Sequence, residues 1–182
     1  MGASWTIRLS AGLLAAASLP ILSAGPEIEE YQVKAAYLYN FAKFVDWPAP
    51  AFASASSPIS LCILGEDPFG GALQEVVRGK TAGGRTLVVR TLSDLAGARG
   101  CHVVFVSAVE WKTNRPALGR LTGSGVLTVG EVAGFTSAGG IVSFKLEGRR
   151  VRFEINVDAA RQAQLQISSK LLSLAEIVRT SE

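Results

Sequence analysis

Two stretches, Ile59–Leu64 and His102–Ser107, are apolar runs without alternation of polar side chains. A strand built from such a run must be covered on both faces, which is the habit of parallel sheets enclosed by helices. Two further candidate strands, Arg85–Arg90 and Val126–Val129, lie in the same part of the chain. The intervals between them hold a helical stretch at Phe69–Arg78, a short turn capped by Ser93 and a helix around Pro116–Leu121. The C-terminal third differs: Ile141–Leu146 and Arg150–Asn156 both alternate and are separated by Glu147-Gly148-Arg149, which predicts a hairpin. Helical patterns over Val157–Gln164 and Ile167–Val178 follow it. The fold class expected is therefore α/β, a mixed and largely parallel sheet of about five to six strands flanked by helices, ending in a hairpin and helices.

Ahead of the sheet, Glu27–Asp46 has helical periodicity. Ile28, Tyr31, Ala35, Leu38, Ala42 and Val45 make one stripe, and Val33, Tyr37, Phe41 and Phe44 a second beside it. Glu27, Glu29 and Glu30 suit the positive end of the helix dipole, and Trp47-Pro48 stops the helix. An apolar face this wide needs cover on more than one side, from the domain or from a second subunit. Tyr37, Phe41 and Phe44 are the candidates for self-association or docking, and a charged substitution at Phe41 or Phe44 is expected to abolish complex formation.

Residues 1–24 carry one cation, Arg8, then an apolar stretch from Leu9 to Leu22 ending in Ser23-Ala24-Gly25-Pro26. This is the layout of a cleaved secretory signal peptide, with an uncleaved anchor as the alternative. Residues 25–182 are then expected to form a single exported domain, placed in the periplasm. Export also gives meaning to the cysteines Cys62 and Cys101. A lone pair in an oxidising compartment is expected to be bridged, the alternative being two buried thiols that never meet.

Composition narrows the chemistry. Lys and Arg total 18 against 15 Asp and Glu, for a formal charge of +3, and the longest basic run is Arg149-Arg150. That is poor footing for a nucleic-acid binder. With one histidine, His102, and two cysteines, neither a metal site nor a cofactor is expected. Gly79-Lys80 is not a phosphate loop, because Gln74 stands where its upstream glycine belongs. Gly123-Ser124-Gly125 lacks the spacing of a nucleophile elbow. His102, beside Cys101 at the mouth of an apolar strand, reads as structural. No catalytic residue is assigned.

Two places suit binding better. Gly65-Glu66-Asp67-Pro68-Phe69-Gly70 lies at the carboxyl end of the first sheet strand, where an open α/β sheet collects ligands and free backbone N–H groups favour anions. Asp67 equally reads as a helix cap with Pro68 at the first helical position. Asp67 and Phe69 are retained as candidates. Arg152, Glu154 and Asn156, spaced by two, share one face of one strand. They are a solvated edge, an internal ion-pair network in which Arg152 and Glu154 pair, or the floor of a pocket or docking surface.

Several segments together resemble the YfiR family of bacterial periplasmic proteins. They are Tyr37–Pro48, Cys62–Phe69, Cys101–Ser107, Val126–Val129, Gly134-Phe135 with Gly139-Gly140-Ile141, Val151–Asn156 and Ile167–Leu172. The resemblance runs over essentially the whole chain beyond residue 24, and it rests on the order and spacing of the segments. It implies a dimeric regulator with a helix-flanked sheet that restrains an inner-membrane diguanylate cyclase through the cyclase's periplasmic domain, lowering cyclic di-GMP and biofilm formation. The family's bridging cysteine pair corresponds to Cys62 and Cys101. A second pair near the C-terminal strands has no counterpart here, so a redox switch of that kind is not expected. Glu154 matches a polar residue implicated in ligand binding, whereas Gln166 and Ser168 stand where more basic groups belong.

The function expected is thus a periplasmic regulatory binding protein. Its partners would be the extracytoplasmic domain of an inner-membrane signalling protein, a second copy and a small-molecule ligand. The alternative is a small-molecule-binding component serving a transporter or sensor kinase. An enzyme acting on an envelope substrate through Asp67, Glu154 and His102 is the least favoured reading.

Overall fold

The computed structural model describes residues 25–121 and 123–180; the segment read as a signal peptide lies outside them. Helix α1 spans Pro26–Phe44, with proline at its first position and Glu27 and Glu29 in its first turn. It stops two residues short of the expected Asp46. Val45–Asp46 instead forms a short strand, β1, and the Val45 N–H still closes the last helical turn onto Phe41. Ala35, Leu38, Phe41 and Ala42 are buried, so the predicted stripe faces the protein. Among the described residues no helix is long and apolar enough to cross a membrane.

After α1 the chain builds β2 (Ile59–Leu64), helix α2 (Ala72–Val77), β3 (Thr81–Ala82), β4 (Arg85–Leu92) and β5 (Val103–Val106). Helix α3 (Ala108–Asn114) continues into a 3-10 turn and leads to β6 (Leu127–Gly130). The hairpin strands β7 (Val142–Glu147) and β8 (Arg150–Asn156) follow, then α4 (Val157–Gln162), β9 (Gln166–Ile167), α5 (Ser169–Leu172) and β10 (Glu176–Val178). Eight strands make one sheet in the order β10-β8-β7-β6-β5-β2-β4-β3, while β1 and β9 pair separately. Strands β4, β2, β5, β6 and β7 run parallel to one another, while β3 is antiparallel to β4 and β8 turns back against β7. The fold is the mixed α/β sheet expected. It exceeds the expected strand number because β3 and β10 add to its edges.

The doubly covered runs behave as their composition requires. Ile59, Leu61 and Ile63 of β2, with Val103 and Phe105 of β5, enter the core under α1. Cys62 and Leu64, with Val104 and Val106, enter a second core on the opposite face, around Trp111, Leu121 and Phe135. Cys62 and Cys101 are joined in that second core across a sequence separation of 39, with Cα atoms 6.0 Å apart.

Four local expectations need correcting. Helix α2 begins at Ala72 and not Phe69, because Gly70 and Gly71 both adopt left-handed backbone (φ 56° and 88°) that a helix cannot include. Asp67 therefore is no helix cap: its Oδ1 accepts the Phe69 N–H at 2.8 Å within a turn. The turn before β5 is capped by Asp94, not Ser93, through the N–H groups of Ala96 and Gly97. The helix expected over Ile167–Val178 is a single turn, α5, after which Glu176–Val178 pairs parallel to Glu154–Asn156. The outer backbone edge of β8 needs hydrogen-bond partners, and β-branched Ile177-Val178 meets that need better as strand than as helix.

Two glycines are fixed by one ring. A Cβ on Gly130 would lie 2.3 Å from Phe135, and one on Gly140 2.2 Å from it, while Phe135 is fully buried against Trp111. Replacing Gly130 by Ala should therefore destabilise the fold by about 1–3 kcal/mol through overpacking. Denaturant unfolding checks this, and an unchanged midpoint would contradict it.

Candidate functional site

The chain passes from β2 to β4 on one side and returns to β5 on the other, so the sheet changes winding direction between β2 and β5. The carboxyl ends of strands diverge at such a point and leave a crevice. Here the crevice measures about 430 Å³ and is lined by the loop after β2 (Glu66, Asp67, Pro68), the start of α3 and Glu131 after β6. Glu27 and Tyr31 of α1 form its fourth wall. The expected anion site is corrected by this lining: Glu27, Glu66, Asp67, Glu110 and Glu131 repel an anion and suit a cationic group. Of the residues expected here, Asp67 lines the crevice. Phe69 is buried in the core, edge-on to Tyr31 and Phe105. Gly65 lets the loop after β2 approach α3, since a Cβ there would collide with the Glu110 carboxylate.

Behind the crevice lies a network that the sequence did not reveal. Lys34 of α1 is buried, and its Nζ meets Glu131 at 2.7 Å and also pairs with Glu30. The Glu131 carboxylate further accepts the Ala108 N–H at 2.9 Å and the Tyr31 hydroxyl at 3.2 Å. Burial, then the Glu131 charge, pushes the Tyr31 hydroxyl well above its ordinary pKa, so it stays protonated and donating. A lysine between the stripe positions Tyr31 and Ala35, one turn after Glu30, was the signal available; its partner nearly a hundred residues away was not.

A second recess, of about 850 Å³, runs between α1 and the β7–β8 hairpin. Its floor contains Val33, Tyr37, Leu146 and Val151, with Val33 and Leu146 exposed. Glu27, Glu29 and Glu30 stand on one bank, and Arg149, Arg150 and Arg152 on the other. An apolar floor between banks of opposite charge suits an amphipathic partner surface.

The structure separates the polar triplet of β8. Arg152 is exposed on the groove bank, with its Nε 3.8 Å from Glu147. Glu154 is buried, pairs with Lys145 of β7 and accepts the Thr136 hydroxyl. That pairing holds the Lys145 ammonium above its ordinary pKa. Asn156, also buried, donates to the Thr136 carbonyl at 3.1 Å and caps α4 by accepting from Asp158 and Ala159. The expected Arg152–Glu154 pair is thus replaced by Lys145–Glu154, a diagonal cross-strand pair: Lys145 stands opposite Arg152 in the β7–β8 register and reaches past it to Glu154, within range of a long side chain.

The aromatic trio of α1 also divides. Phe41 has no exposed surface and packs on Phe144 and Phe153, so it stabilises the core and cannot itself dock; a charge there would unfold the chain rather than merely break a complex. Tyr37 and Phe44 are half-buried and keep an outward edge. His102 is buried, and its Nδ1 accepts the Ser60 N–H at 3.1 Å. Among the described residues no group of three or more His, Cys, Asp or Glu is arranged to hold a metal ion.

Lys34→Ala should cost about 3–5 kcal/mol, because it strands a buried carboxylate. Arg152→Ala should cost less than about 1 kcal/mol, its ion pair being exposed. Unfolding free energies check both, and equal losses would contradict the division between buried network and groove bank.

A family model described as YfiR/HmsC-like matches residues 31–176. Among solved structures, a conserved domain protein from Vibrio cholerae O1 biovar El Tor is similar at 13% identity and a TM-score of 0.46, over 67% of this chain and 54% of that one. This chain spans about half the length of that protein.

Proposed function

The chain belongs to the YfiR/HmsC-like family, and from that footing we propose that it is a periplasmic regulator of cyclic di-GMP signalling that acts by contact and not by catalysis. Its partner is the extracytoplasmic domain of an inner-membrane signalling protein such as a diguanylate cyclase, whose output it represses. Residues 25–182 work as one unit after removal of the leader.

The observation that carries the docking reading is the groove between α1 and the hairpin. Its floor offers exposed Val33 and Leu146 beside half-buried Tyr37, and its banks carry glutamates and arginines in separate rows. Oppositely charged rows fix the register of a bound partner, while the apolar floor supplies the burial. A regulatory effect requires only that the partner's inactive conformation bind the groove better than its active one. Self-association through Tyr37 and Phe44 belongs to the same proposal, since both lie on the outward part of α1.

The test is a host strain lacking the native gene, complemented with wild type or with Arg150→Glu plus Arg152→Glu. Cellular cyclic di-GMP should fall with the wild type and stay high with the charge-reversed variant, at equal periplasmic protein levels. Equal repression by the two would remove the groove from the account, and no effect of the wild type would remove the regulation.

A further inference from the structure

His102 is the one histidine of the chain, and it sits where a segment of irregular backbone meets the sheet. That segment, residues 47–58, links β1 to β2 and contains a 3-10 turn at Ala49–Ala51. Three of its features close on one place. The Phe52 ring stacks on the imidazole at 4.5 Å and 25°, and Trp47 meets it edge-on at 5.7 Å. From the other side, the Arg85 guanidinium of β4 lies 3.6 Å over Phe52 and donates to the carbonyls of Ser54 at 3.0 Å and Ser57 at 2.7 Å. Phe52 is therefore held between a cation and a neutral ring.

The imidazole is anchored to the sheet as well. Ser60 of β2 donates its N–H to Nδ1, while the His102 N–H returns a bond to the Ser60 carbonyl at 2.9 Å. A ring accepting at Nδ1 carries its proton at Nε2 and is neutral. Nε2 is buried and has no hydrogen-bond partner of ordinary geometry, with the Ala51 backbone near the ring. The charged group acting on the ring is Arg85; Trp47, Ala51 and Phe52 of the segment and Ser60 of β2 bring no titratable side chain. A second proton would turn Nδ1 into a donor facing the Ser60 N–H. It would also place a buried charge beside Arg85 with no carboxylate to receive it.

We propose that His102 is a proton-operated latch: neutral, it fastens the 47–58 segment to β2, and once protonated it releases that segment from β2. The device goes beyond the docking reading and does not require it. Burial, reinforced by Arg85, keeps the folded imidazole below its ordinary pKa of 6.5. The unfolded chain thus takes up the proton first. The ring's contribution is complete above that value and is lost as the pH falls through the lower, folded one.

The experiment follows the C2 proton of the single imidazole by NMR and, in parallel, amide hydrogen exchange of residues 47–58, on the exported protein from about pH 7.5 to about pH 5. After correction for intrinsic exchange, the segment should lose protection by up to about tenfold per pH unit from about pH 6.5 down to the midpoint of imidazole protonation, and level off below it. In His102→Asn, whose side-chain oxygen can accept the Ser60 N–H but not titrate, protection should stay flat. A segment that remains closed while the imidazole protonates, or an imidazole that stays neutral to the end of the range, would overturn the latch. So would equal opening in His102→Asn. Should that variant fail to fold, the unaltered protein decides, and protection that levels off away from the imidazole midpoint would overturn it.

Discussion

Both candidate surfaces depend on where α1 lies, and the buried pair of Lys34 with Glu131 decides that. A buried ammonium is tolerated only beside a carboxylate, so α1 can dock solely in the register that brings Lys34 to the loop after β6. A pair of this kind contributes little net stability against a hydrophobic replacement, but it penalises other registers heavily. The same carboxylate holds the Ala108 N–H at the start of α3 and the Tyr31 hydroxyl. Three segments far apart in the chain are thereby fixed around the mouth of the sheet. From that placement, the N-terminal glutamates of α1 form the acidic bank of the groove, and Glu27 with Tyr31 closes the crevice.

Where covering dictates pattern, the sequence was legible. Ile59–Leu64 and the run through Val103–Val106 read as doubly covered strands, and their side chains do divide between two cores. The hairpin was equally plain, since alternation and a glycine turn reinforce each other. Short elements were less so. Leu171, Leu174 and Val178 carry a helical spacing, yet Leu174 is exposed and Val178 lies in a strand, because pairing with the free edge of β8 outweighed local preference. Gly70 and Gly71 hid the true start of α2, which depends on two left-handed residues that a spacing rule does not see.

The sites divided in the same way. Polar residues were correctly picked out on β8, but their roles depend on partners in other elements: Lys145 across the ladder and Thr136 in the loop before it. Asp67 reached the crevice, whereas the sign of that crevice depends on Glu110 and Glu131, brought in by later strands. The disulfide was inferred from export and cysteine number, and it does join β2 to the turn preceding β5. What remained invisible, Lys34 with Glu131 and the stack around His102, consists of contacts between residues far apart in sequence.

A chain organised in this way carries a charged groove on the side of α1 and, at the other end of that helix, a segment packed on His102. The most direct test of the account places a photo-crosslinking amino acid at Tyr37, on the groove floor, and separately at exposed Val88 of β4, then irradiates intact cells. Contact with an inner-membrane signalling protein should yield a covalent adduct from position 37 and none from position 88. Adducts of equal yield from both positions, or from position 88 alone, would contradict the claim that this groove is where the protein acts.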